Sequence, residues 1–140
     1  MILWDHLFYQ LNSITTMGND NTITGTFNGT IHLEYLPCIN YAMIHNHVPS
    51  CNFCELMNSD EVDWNNIKVS IDGELIKHSE SILEVIPHGQ NIQINNLEIS
   101  PESEKLIELT EGIDTIFHLV IMISGEIAHQ QTFPIKLMAY

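Results

Sequence analysis

Apolar and polar residues alternate along most of this chain with a period of two, the pattern of strands that bury one face. Ile31, Leu33 and Tyr35 alternate with Thr30, His32 and Glu34, and Pro37 closes that run. A second extended stretch is expected over residues 39–44 and a third over 51–57, with residues 46–50 turning the chain between them. Residues 58–66, NSDEVDWNN, collect Asn, Ser and Asp at the density of a loop. Ile67, Val69 and Ile71 then alternate with Lys68, Ser70 and Asp72, ahead of the turn dipeptide Asp72-Gly73. A further strand is predicted over 82–86, closed by the turn Pro87-His88-Gly89-Gln90. Beyond it Ile92, Ile94, Leu97 and Ile99 continue an alternating register.

One segment after the first twenty residues has helical spacing. Ser100 suits an N-cap, Pro101 the first helical position, and Glu102 and Glu104 the first turn, where the helix dipole favours negative charge. Leu106, Leu109 and Ile113 follow at intervals of three and four, with Gly112 placed to end a short helix crossing between sheets. Residues 116–124 are the most hydrophobic strand, apolar on both faces and therefore expected at a sheet centre. In the last strand Ile127, His129, Gln131, Phe133, Ile135 and Leu137 share one parity, and Pro134 predicts a free edge or a bulge. The expected fold is all-β: an immunoglobulin-like antiparallel β-sandwich of about seven strands with one short helix. Its core is expected from Leu33/Tyr35, Ile67/Val69/Ile71, Ile92/Ile94 and Leu119/Ile121/Ile123. Residues 17–140 read as a single domain. Residues 1–16 fit this pattern poorly and read as an upstream extension that packs loosely, with a short helix as one form.

Charge narrows the function classes. Four Lys plus Arg against eighteen Asp plus Glu give a formal net charge of -14. Affinity for nucleic acid comes largely from cations that neutralise phosphates, so direct DNA or RNA binding is not expected. The acidity reads first as a solvated surface and second as a face that docks a basic partner. The longest apolar stretch, 119–123, is only strand length, so no membrane span is expected. Asp5 and His6 interrupt the apolar opening before a signal core forms, which predicts a cytoplasmic protein. The cysteines, Cys38, Cys51 and Cys54, are odd in number and make no complete disulfide framework.

Several stretches carry a family resemblance: LEYLPCINYAMIHNHVP (33–49), NNIKVSIDGELI (65–76), VIPHGQNIQINNLEISPESEKLIELTEGI (85–113) and GEIAHQQTFPIKLMAY (125–140). The most specific pieces are the I-N-Y-A-x-x-x-N-x-V-P segment at 39–49, L-T-E at 109–111 and P-I-x-x-x-A-Y at 134–140. Over roughly residues 31–140 the chain resembles the N-terminal region of large bacterial proteins. These join a superfamily-one helicase to a restriction-endonuclease-like nuclease related to very-short-patch-repair enzymes. The resemblance implies an accessory module that precedes the motor and nuclease parts, near the point where the leading domain gives way to the helicase portion. It brings no ATP-binding or nuclease motif, and the sequence holds no G-x-x-x-x-G-K-[ST] phosphate loop. The expected partner is a protein or a neighbouring domain such as the helicase portion. No enzymatic activity or cofactor is expected of this chain.

One cluster supports a sharper alternative. His45, His47, Cys51 and Cys54 put two imidazoles and two thiols within ten residues, which suggests a tetrahedral zinc site. The H-x-H-x-x-x-C-x-x-C order is not a standard finger spacing, and on a regular strand Cys51 and Cys54 project from opposite faces. Structural cysteines are the main expectation, and no metal site is assigned. A cysteine nucleophile beside a histidine is a second alternative, with no third orienting group in view. Trp64, in the acidic loop, reads as a lid over one end of the core, and otherwise as an exposed anchor.

Overall fold

The structure is a computed structural model that describes residues 12–13, 22–23, 27–47, 50–102 and 111–138. It is all-β, with two sheets. The strands are β1 (Asn12–Ser13), β2 (Thr22–Ile23), β3 (Gly29–Tyr35), β4 (Cys38–Asn40), β5 (Cys51–Asn58), β6 (Trp64–Asp72), β7 (Ser79–Ile86), β8 (Asn91–Gln93), β9 (Ile113–Ile123) and β10 (Glu126–Met138). A single helical turn, α1 (Tyr41–His45), follows β4. The first sheet runs β1-β3-β5-β8, with β2 also on β3, and the second runs β4-β10-β9-β6-β7. One of the two curls into a half-barrel. Among the described residues no helix is long and apolar enough to cross a membrane.

Alternation decides which face of each strand is buried. Ile31, Leu33 and Tyr35 of β3 join Ile67, Val69 and Ile71 of β6 and Phe117, Leu119, Ile121 and Ile123 of β9 in one buried cluster. The sheets meet through rings: Tyr35 lies 5.1 Å from Phe117, edge to face, and 5.9 Å from Phe133. β9 sits between β10 and β6, the central place that its two apolar faces predict. At the other end of the core, Gly29 is required by close approach, because a methyl group there would overlap the Met57 carbonyl oxygen and the Trp64 ring. Trp64 opens β6, three residues earlier than the loop reading allows, and is 1% exposed. Its indole N–H donates to the Asp60 carboxylate at 2.7 Å. The buried Asn58 fixes the same loop, donating to the carbonyls of Val62 and Ile86 and accepting the Asp60 N–H. The lid reading of Trp64 thus matches its position.

Several expectations are corrected. The stretch 39–44 is not one strand: β4 ends at Asn40, whose side-chain oxygen accepts the Met43 N–H at 2.9 Å and caps α1. β4 also pairs parallel to β10, Lys136 opposite Cys38, so the second sheet is not purely antiparallel. β10 consequently has neighbours on both sides at 136–137. Pro134 falls just outside that pairing, where a missing N–H costs nothing to the ladder. The bulge lies elsewhere, between Ile127 and His129, and it turns Ile127 outward against the parity read from the sequence. Only Asn91–Gln93 of the 92–99 register is strand, although Leu97 and Ile99 are buried. Most of the predicted helix, residues 103–110, lies outside the described residues. Pro101 instead bridges Ile76, and Ile113 begins β9. Of residues 1–16, Asn12–Ser13 pairs with β3 as strand, and the others lie outside the described residues.

Candidate functional site

The histidine–cysteine segment borders a cleft of about 340 Å³ between α1, the start of β5 and residues 95–100. Its apolar floor includes Leu36, Ile39, Met43, Leu97 and Ile99, and His47, Ser50, Asn95 and Glu98 stand among its polar lining. Ser50 fixes two walls, its carbonyl accepting the Leu36 N–H at 2.9 Å and its hydroxyl accepting the Ile99 N–H at 3.0 Å.

The cysteines do not lie as a regular strand predicts. Leu33 is opposite Cys54 and Tyr35 is opposite Cys51, so the ladder skips residue 52. The bulge puts Cys51 and Cys54 on the same, inward face of β5. Cys54 is buried, and Cys51 packs partly against the core. Burial pushes the Cys51 thiol up to about 11, and burial followed by the neighbouring Cys51 raises Cys54 further. Neither thiol is poised as a thiolate nucleophile. His45 ends α1 exposed to solvent, and His47 is exposed with φ of 57°. Among the described residues no group of three or more His, Cys, Asp or Glu gathers closely enough to hold a metal ion, so His45, His47, Cys51 and Cys54 do not form one coordination set.

No family model and no curated protein matches this chain.

A second feature lies on the outer face of the second sheet. Ile82 of β7 is opposite Lys68 of β6, Lys68 opposite Met122 of β9, and Met122 opposite Ile127 of β10. The four side chains form one row across four strands, about 14 Å long at the usual strand spacing. Ile82 is 68% exposed and Ile127 56%. Val120 extends the apolar surface from the adjacent row, where it stands opposite Ser70 and Gln130. Glu80 and Glu84 flank Ile82 on the same face, both exposed. The sequence places Ile82 in a strand over 82–86 without assigning its face, and gives Ile127 the parity of Phe133, Ile135 and Leu137. Only the pairing register and the β10 bulge bring the two to one face.

Proposed function

We propose that the chain is a non-catalytic docking module, similar in role to the leading domain of bacterial helicase-nuclease proteins that act on foreign DNA. It works in the cytoplasm by holding a neighbouring domain or a protein partner rather than by turning over a substrate. The observation that carries this reading is the row Ile82–Lys68–Met122–Ile127. Two strongly exposed aliphatic side chains on the outside of a sheet are the kind of surface that a partner covers. The immunoglobulin-like form of the sandwich belongs to the same proposal. It is supported by six strands of seven or more residues whose inward positions meet in one cluster. The net charge of -14 supports a protein partner over a polyanion.

The test is site-specific photocrosslinking in cells, with the probe placed at 82, at 127 and, as control, at the exposed position 93 on the other sheet. Discrete adducts from 82 and 127, absent from 93, are the expected result. No adduct from either row position, or equal labelling from all three, would end the docking reading.

A further inference from the structure

Resting on that docking reading, the charge around the row identifies its occupant more closely. We infer that the outer face of the second sheet receives an amphipathic protein helix whose aliphatic stripe is flanked by lysine or arginine.

The argument begins with shape. The row crosses four neighbouring strands, and its length of about 14 Å accommodates one helix of about 10–12 Å diameter laid on the sheet. A helix covering a sheet face is a standard way to bury such a surface. The apolar centre consists of Ile82, Met122, Ile127 and Val120.

Charge then selects the partner. Glu80 and Glu84 lie two residues to either side of Ile82 on β7, and so on its face of the sheet. Lys68 is the cation within the row, and it already acts on Glu80, helping to hold that carboxyl below its usual range after the larger contribution of the His78 hydrogen bond. Two carboxylates on the row's own face therefore flank the apolar centre at Ile82, against one lysine. A second copy of this chain would set the same carboxylates against themselves, each chain carrying a formal charge of -14. A nucleic acid would meet the same repulsion without filling the apolar centre. Cations flanking an aliphatic stripe satisfy both features, and like-charged helices are rejected.

The experiment titrates the full chain, with labelled isoleucine and methionine methyl groups, with a synthetic leucine–lysine peptide of about five helical turns. The controls are a scrambled peptide of equal composition and a counterpart with glutamate in place of lysine. The expected result is methyl shifts centred on Ile82, Met122 and Ile127, for the amphipathic lysine peptide alone. Affinity should fall at least about tenfold in the Ile82→Ser/Ile127→Ser double variant, and should fall with added salt. Both replaced side chains are solvent-facing, and an unchanged melting temperature shows that the variant is folded. Four outcomes overturn the inference: shifts spread over the acidic surface without preference for the row, equal binding of the glutamate peptide, unchanged affinity in the double variant, or row methyls already shielded from a soluble paramagnetic agent in the free chain. Self-association that the double variant abolishes also overturns it, assigning the face to a second copy. Crosslinks from 82 and 127 to an acidic or uncharged partner would remove the basic helix and leave the docking reading intact, whereas absence of crosslinks removes both.

Discussion

The hydroxyl of Tyr35, on the first sheet, donates a hydrogen bond of 2.7 Å to the main-chain oxygen of Pro134 on the second, across 99 residues of sequence. The same ring packs against Phe117 and Phe133, so one side chain joins the two sheets by a polar and an apolar contact. Tyr35→Phe keeps the ring contacts and removes only the bond. It is expected to cost about 1 kcal/mol in urea unfolding with an unchanged m-value. A neutral result would mean that water replaces the hydroxyl at Pro134 without loss.

The Asp60 carboxylate holds the Trp64 indole at 2.7 Å and also accepts the Asn28 N–H at 3.1 Å. Asp60→Ala leaves both donors without that acceptor and should destabilise by about 1.5 kcal/mol, with Asp60→Asn costing less because an oxygen remains. Trp4 contributes the other indole, so the emission of Trp64 is read in a Trp4→Phe background. A red shift is expected on Asp60→Ala, and an unshifted spectrum would count against the lid.

Burial raises the thiols of Cys51 and Cys54, the first to about 11. At pH 8 such a group is thiolate in only about one molecule in a thousand. Iodoacetamide should therefore modify both cysteines much more slowly in the native chain than after unfolding, as measured by peptide mass. Native-state modification of Cys51 at the rate of the unfolded chain would restore the nucleophile reading.

Ile121 is fully buried on β9, and Ile82 faces solvent on β7. Ile121→Asp places an unpaired charge in the core and should cost at least about 4 kcal/mol, enough to prevent folding of a marginally stable domain. Ile82→Asp should stay within about 0.5 kcal/mol. Thermal melts of the two variants compare the strand faces directly, and the reverse order would invalidate the β7 register.

His78 spans Glu80 at 2.7 Å and Asp72 at 3.3 Å. Its hydrogen bond to Glu80, then that to Asp72, raise its affinity for the proton, while the same contact to His78 lowers Glu80. A raised histidine stabilises the fold below its ordinary value of 6.5 and loses that contribution as pH rises through its higher folded value. A lowered carboxylate contributes above its ordinary 4.5 and loses it as pH falls through its folded value. The stability difference between the native chain and His78→Ala should therefore be largest between 4.5 and 6.5 and shrink at alkaline pH. A difference that grows with rising pH would contradict the pairing.

Legibility in the sequence followed the range of the interaction. β3, β6 and β9 were readable because Ile31/Leu33/Tyr35, Ile67/Val69/Ile71 and Leu119/Ile121/Ile123 each carry a full alternating pattern within a few residues. The 39–44 stretch was misread because Asn40 serves as a helix cap, a role that depends on the Met43 amide turning back to it. The proposed site was hardly legible, since Ile82 and Ile127 resemble core residues within their own strands.

What the sequence determined by itself was the set of extended segments, most of the inward residues and the acidic surface, because the face of a strand residue follows from backbone geometry within its own segment. The tertiary structure alone decided the parallel pairing of β4 with β10, the inward turn of Cys51, and the alignment of Ile82, Met122 and Ile127. Each depends on register between distant segments, where one extra residue reverses a side chain's face, and no single segment records its register.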